Sequence, residues 1–540
     1  MLSDRVSTRP PHLEGDLPSP GRAAVSGLVA VLAALGSSEL VAGALGAPSL
    51  IIAIGDTVID RVPGWLERAA IASLGSADKP ALVAGILLVS ALLGAALGRL
   101  ARRRFRLAAG GFAAFAAVGV AAAAADPRAS AVAAVLVGVV GAVSGVVVLH
   151  RLLLLAAWSD QRPSTAGAPA VEASGTSAFR TAGALDRRRF LAVAGGTAVL
   201  AVLGGVSGLL LAGRDRLAEV RRAIRLPVPL RPALPPPPPG ADLRLPGLTP
   251  LFTPNEDFYR IDTALRVPPV VDLEAWRLEV RGRVGRPFSL SYAELMDLPQ
   301  IEADITLVCV SNEVGGDLVG NARWQGVPLV TLLERAGLQN GADQLLSRSV
   351  DGFSAGFPTQ TALHVEGAMV AVAMNGEPLP AEHGFPARVI VPGLYGYVSA
   401  TKWLSVLELT GWDVDGYWVP RGWDKEGPVK TQARIDVPAL GTVVRAGQRS
   451  VAGVAWAPTR GVERVEVRID DGPWVPAELA ETLGVDCWRQ WSTSWEATPG
   501  VHRISARATD GLGRLQTGVR SSVAPNGATG YPFLQVRVEP

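Results

Sequence analysis

The chain has 540 residues, with 51 Lys and Arg against 49 Asp and Glu and a formal net charge of +2. That balance gives no basic footprint for nucleic acid and no pull towards acidic partners. The mean hydropathy of +0.28 is too high for an ordinary soluble protein. The two cysteines, Cys309 and Cys487, make no disulfide framework and have no zinc-finger or CxxC spacing.

The apolar excess lies in residues 1–212. After a cytoplasmic N-terminus over residues 1–22, a membrane domain is expected over 23–212. Its spans are Ala23–Leu45, Ala81–Leu97, Leu107–Ala125, Ala131–Ala157 and Phe190–Ala212, each near the ~20 apolar residues a bilayer requires. Their Ala, Gly, Val and Leu suit close helix packing. The Pro-, Gly- and Asp-broken stretch after the first span reads as interfacial or re-entrant. Arg99, Arg102, Arg103, Arg104 and Arg106 crowd one loop, and Asp186–Phe190 reads DRRRF. Both loops are assigned to the cytoplasm, which puts everything after Ala212 outside it. The run RRRFLAVAGG from Arg187 also resembles a twin-arginine export signal. Glu39, inside the first span, is read as bonding within the bundle. His150 alone cannot supply a bis-histidine haem site, and no haem is expected.

Residues 213–245 form a Pro-rich linker, read as a polyproline II spacer that keeps the exported part clear of lipid. From 246 to 430 short strands and helices mix without a βαβ period, which points to an α+β domain. WRLEVRG (Trp276–Gly282) alternates as a strand. Ser291 with Glu294 makes a capping box. DITLVCV reads as a buried strand, and Pro328–Gly337 as a helix. AMVAVAMNGEPLP is a strand running into a turn at Asn375–Gly376, and ARVIVPG is another strand. From 431 to 540 helix signals vanish. Val465, Val467 and Ile469 share a face, and two strand–turn–strand devices turn at Asp471–Gly472 and Asp510–Gly511, as in a small β-sandwich.

Cys309 stands where the strand ITLV breaks into a glycine-rich loop. A lone cysteine is commonly a small buried hydrophobe, yet thiolate is also a soft metal ligand. Asn255, Tyr259 and Arg260, Asn312, His383 and Arg388, and Lys402 all follow strands in loops. Arg, Lys and His together suit a phosphate. His383 as a backbone cap, Arg388 as a surface strand residue and Lys402 as a lysine lying along Trp403 are the plainer readings.

Three stretches resemble the sulfite oxidase family's molybdenum-cofactor core. They are TLVCVSNEVGGDLVGNARWQGVPLVTLLERAG, MNGEPLPAEHGFPARVIVPGLYGYVSATKW and GPVKTQARIDVP. The tail is similar to that family's immunoglobulin-like domain. The resemblance covers about residues 250–540. It implies Cys309 as the molybdenum ligand, and Asn255, Phe258, Tyr259, Arg260, Ser349, Asp351, His383, Arg388 and Lys402 as contacts of the molybdopterin cofactor. Arg260, which matches a family arginine, is also expected in the catalytic set. Val372 stands where animal and plant members have an active-site tyrosine, and Val314 where they have an arginine. The substrate is therefore expected to be sulfite or a small sulfoxide or N-oxide. Electrons would pass to or from a separate cytochrome or quinone, and a homodimer could form through the C-terminal domain. The contrary reading is a cofactor-free, membrane-anchored binding or structural protein.

Overall fold

Long runs of Ala, Val, Leu and Gly without charge leave the backbone to satisfy its own hydrogen bonds, and helices follow. The computed structural model describes residues 17–63, 66, 73, 78–124, 130–160, 176–211, 214–229, 234–263 and 271–540. The chain divides into two units, Met1–Asp215 and Arg216–Pro540.

The first unit contains α1 (Pro20–Leu45), α2 (Leu50–Arg61), α3 (Asp78–Ala101), α4 (Phe105–Ala124), α5 (Ala131–Asp160) and α6 (Thr176–Leu211). All but α2 are long and apolar enough to cross a membrane; in α6 the apolar window is Arg188–Ser207. Residues 1–16 and 212–213, and with them parts of the assigned terminus, linker and fifth span, lie outside the described residues. Helix α1 packs against α3, α5 and α6. A Cβ on Gly27 would run into the backbone of Gly94 and Gly98, so α1 and α3 touch main chain to main chain through small residues. Glu39 accepts a 2.6 Å hydrogen bond from the Ser49 hydroxyl, the N-cap of α2, which accounts for a carboxylate among apolar helices. The expected interfacial stretch is the short helix α2 as far as it is described.

The Pro-rich segment does not stand free. Gln325 Nε2 donates to Pro227 O (2.8 Å), Leu234 N donates to Glu302 Oε2 (3.2 Å), and Glu481 N donates to Gly240 O (2.9 Å). A proline-rich chain keeps its carbonyls unpaired, and here they are used to strap it along the second unit. The spacer expectation is corrected accordingly.

The second unit begins with ten strands. They are β1 (Arg277–Gly282), β2 (Phe288–Ser291), β3 (Ile301–Val308), β4 (Val319–Pro328), β5 (Gln344–Ser349), β6 (Ser354–Pro358), β7 (Met369–Met374), β8 (Glu377–Pro378), β9 (Arg388–Ile390) and β10 (Leu404–Thr410). One sheet runs β2-β1-β10-β5-β6, and the other β3-β4-β7-β8 with β9 on β7. The capping box is complete: Glu294 N donates to Ser291 Oγ, and Ser291 N to Glu294 Oε2. The helix after β4 is Leu329–Ala336, ended by Gly337 at φ 68°. Strand β7 is buried at every position. Val370 and Val372 face a core shared with Leu278, Leu345, Leu404 and Leu407. Met369, Ala371 and Met374 face a second core with Phe258, Trp324 and Phe385. Val372 thus lies on the opposite face from Phe258, and the alternation breaks just after it, where a bulge against β4 turns Met374 to the second core.

Nine more strands follow: β11 (Gln432–Val437), β12 (Val443–Arg445), β13 (Gly447–Trp456), β14 (Val462–Ile469), β15 (Val475–Pro476), β16 (Glu478–Leu479), β17 (Arg489–Ala497), β18 (Gly500–Asp510) and β19 (Phe533–Glu539). The sheets β11-β13-β17-β16 and β12-β19-β18-β14-β15 enclose one core containing Val465, Val467, Trp491, Ile504 and Val536. This is the expected sandwich. The second expected hairpin is corrected: past Asp510 the return is an isolated bridge, Thr509 to Leu515, and β18 pairs instead with β19. The buried Asp510 carboxylate explains this. It accepts from the Leu512 and Arg514 amides and from Arg460, and so winds the chain into a loop.

Candidate functional site: a cavity beside Cys309

Cys309 leaves β3 at the point where pairing with β4 stops, Val308 opposite Val319. Its amide donates to Leu318 O (2.9 Å), and the Asn312 side chain accepts from Leu318 N (2.9 Å), so residues 309–318 form a closed loop. The thiol is buried. Desolvation raises its pKa, opposed by hydrogen bonds from the Ser311 amide and hydroxyl. Among the described residues no three His, Cys, Asp or Glu side chains cluster as metal ligands.

Cys309, Phe258, Tyr259, Ser349, Asp351, His383, Arg388 and Lys402 line one cavity. Strand β9 opens with Arg388, paired to Ala371 of β7. The residue is 6% exposed. Its guanidinium donates to His383 O (3.0 Å) and Ala400 O (3.3 Å) and lies 5.1 Å from the Trp324 ring centroid. Its Nε has no partner, and among the described residues no carboxylate pairs with it. Burial lowers its pKa to about 10. A buried cation without a counter-ion is costly unless an anion completes the site.

His383 Nε2 donates to Asn255 O (2.8 Å), which fixes the tautomer. Burial holds its pKa down to about 4, so the ring is neutral at pH 7. Asn255 is itself held by Asn375, the first turn residue after β7 (φ 53°), through a 2.9 Å side-chain bond. The turn expected at Asn375–Gly376 closes a short hairpin, β7 with β8, and reaches the cavity's histidine through Asn255. Gly384, at φ 110°, brings the chain against Lys402 and Arg388; a Cβ there would lie 3.0 Å and 3.1 Å from their Cβ atoms. Trp403, next to Lys402, is anchored by Nε1 to Ala381 O (2.8 Å). Phe258 stacks on Tyr259 and meets His383 edge-on. Ser349 and Asp351 shape the turn between β5 and β6, where Asp351 Oδ1 accepts from Phe353 N (3.2 Å).

Eight of the ten residues implied by the resemblance line the cavity. Asn255 acts from behind, through His383. Arg260 does not line it: its side chain is 45% exposed and reaches Asp262 at 3.9 Å. Val372 is not among the lining residues; its side chain is in the opposite core. Sequence reasoning missed Asp262, which lines the cavity and pairs with Lys402, and also Tyr397 and Trp418. Asp262 follows Arg260 by two residues in the same segment, the one signal that could have found it. Cys487 is apart from the site: buried, its thiol donates to Asp304 O (3.0 Å).

Among its described residues the cavity therefore offers a thiol, a neutral imidazole, two cations, two carboxylates and aromatic walls. The orphaned Arg388 Nε and the glycine-tight approach at residue 384 fit a flat heterocycle carrying a phosphate. Residues 264–418 match the family model of the oxidoreductase molybdopterin-binding domain. Fold and cavity thus belong to a molybdopterin-binding oxidoreductase. The uncharacterized oxidoreductase YuiH of Bacillus subtilis is 34% identical over 161 residues, 30% of this chain and 78% of that protein. Mitochondrial sulfite oxidase of Macaca fascicularis is 32% identical over 306 residues, 47% of this chain and 55% of that one. The chain belongs to the sulfite oxidase family, and it spans about half the length of the mitochondrial sulfite oxidases it matches. The sulfane dehydrogenase SoxCD of Paracoccus pantotrophus aligns with a TM-score of 0.48 at 21% identity, over 54% of this chain and 84% of that one.

Proposed function

We propose that the protein is a membrane-anchored oxidoreductase whose second unit works outside the cytoplasm, with molybdenum bound through Cys309. The observation carrying this reading is the shared cavity: a buried thiol beside a guanidinium that lacks a counter-ion. When bound, the cofactor supplies two-electron oxygen-atom transfer. Arg388 and Lys402 hold its anionic end, and Phe258 and Tyr259 present aromatic faces. His383 donates from Nε2 to Asn255 O, which leaves Nδ1 as an acceptor. Burial keeps water from the thiol. The reaction class is either sulfite plus water giving sulfate, two protons and two electrons, or the reduction of a small S- or N-oxide with release of water. Val314 in place of a family arginine favours a less anionic substrate. Electrons exchange with a separate cytochrome or quinone. The arginine loop Arg99–Arg106 supports the orientation, and the twin-arginine run at Arg187 fits export of a unit already folded around its cofactor.

The test is a panel assay of the full-length protein, made in a host that synthesises the cofactor, against sulfite, methionine sulfoxide, trimethylamine N-oxide and nitrate with a redox dye. Turnover of sulfite or an S- or N-oxide, abolished by Cys309→Ser, is the expected result. No turnover of any of them with full molybdenum content would reject the substrate class.

A further inference from the structure

The cavity that grips an anion also contains an anion of its own. Among the described residues its lining holds two cations, Arg388 and Lys402, and two carboxylates, Asp262 and Asp351, while His383 is neutral. Asp351 is occupied by its own turn, accepting from Phe353 N. Asp262 is placed differently: one carboxylate oxygen contacts the Lys402 ammonium, and the other is 3.9 Å from Arg260 Nη2. The Asp262 and Lys402 side chains are 6% and 12% exposed, so the pair is shielded from solvent, whereas Arg260 is 45% exposed. Lys402 also donates to Glu382 O (3.2 Å) and lies 4.7 Å from the Trp403 ring centroid, which fixes its ammonium at the cavity wall.

We propose that Asp262 is a resident competitor for the anion-binding face of Lys402, so that the phosphate end of the ligand enters by displacing this carboxylate towards Arg260. The inference rests on the cavity being the cofactor pocket. It follows from the charges: among the described residues two carboxylates balance the two cations of the lining, and a phosphate of charge near −2 meets a favourable field there only when Asp262 gives up Lys402. Arg260, on the open side, is the cation that receives it. Two consequences follow. The basic side chains do not repel one another when no ligand is bound. Weak monovalent anions are also excluded, because only an anion stronger than a carboxylate wins the exchange. Asp262 thereby acts on selectivity for the phosphate-bearing ligand rather than on the reaction.

The experiment uses full-length protein in detergent, made in a host that cannot synthesise molybdopterin, with inorganic phosphate as the probe in titration calorimetry. Asp262→Asn binds phosphate about tenfold more tightly than wild type, a difference of about 1.4 kcal/mol. Asp262→Glu stays within about threefold of wild type, and Asp351→Asn, which leaves Lys402 paired, moves affinity by less than about threefold. In a Lys402→Met background, Asp262→Asn has an effect under about twofold, which separates a specific competition from general charge removal. Equal or weaker binding by Asp262→Asn overturns the proposal, as does a tenfold gain that persists without Lys402. If wild type binds phosphate and Arg388→Met abolishes it while Asp262→Asn changes nothing, only the competition fails. If none of the proteins binds phosphate, the cofactor-pocket reading fails with it.

Discussion

Replacing Arg388 by methionine makes a sharp prediction, because an ordinary core arginine would behave in the opposite way. Burial drops the pKa of this guanidinium from its ordinary value to about 10, which at 1.36 kcal/mol per pH unit opposes folding by roughly 3 kcal/mol at neutral pH. Against that stand two hydrogen bonds, to His383 O and Ala400 O, at about 1 kcal/mol each. The contact with Trp324 adds roughly 0.5–1 kcal/mol. In protein made without cofactor these terms nearly cancel, so Arg388→Met is expected to be neutral or stabilising by about 1 kcal/mol. With phosphate at a hundred times its dissociation constant, wild type gains about 2.7 kcal/mol and the variant gains nothing. The assay is urea unfolding followed by tryptophan fluorescence. Of the 13 tryptophans only Trp65 and Trp158 precede residue 216, so the signal reports the second unit. A loss above about 2 kcal/mol in the variant without phosphate would refute the reasoning, since it would mean that the guanidinium is already compensated inside the protein.

His383 gives a pH dependence of defined sign. Its folded pKa of about 4 lies below the unfolded 6.5, so the unfolded chain binds the extra proton. Stability is complete above pH 6.5 and falls by roughly 3 kcal/mol as the pH drops towards 4. In unfolding curves across this window His383→Gln should remove that slope, and an unchanged slope would count against the buried neutral ring. Gly384→Ala forces a side chain into the left-handed region and towards the Cβ atoms of Lys402 and Arg388. The expected loss is roughly 2–4 kcal/mol with reduced molybdenum content, and a variant with wild-type stability and metal would show that the close approach is not required.

Much of the second unit could be read from local chemistry. The Ser291–Glu294 box, the Gly337 stop and the Asn375–Gly376 turn are decided within a few residues, and they appear where the sequence puts them. The apolar helices are legible for the same reason: length and composition suffice. What escaped depends on partners distant in sequence. The Pro-rich segment looks like a spacer until Gln325 and Glu481 are seen to bond its carbonyls. The loop after β18 looks like a hairpin because Arg460, 50 residues away, cannot be seen holding Asp510. The side facing of Val372 depends on which core β7 presents it to, and the role of Asp262 on its meeting Lys402. The resemblance supplied most of the site residues, and their convergence on one cavity is a property of the fold.

The central claim is that Cys309 holds molybdenum within a pocket whose bases clasp the cofactor's anion. The most direct measurement is metal analysis with X-ray absorption at the molybdenum edge, on full-length protein from a cofactor-competent host, wild type beside Cys309→Ser. The account predicts about one molybdenum per chain in the wild type, and in the variant either loss of the metal or a shell with one sulfur fewer. An identical metal content and an identical sulfur shell in the two proteins would contradict it.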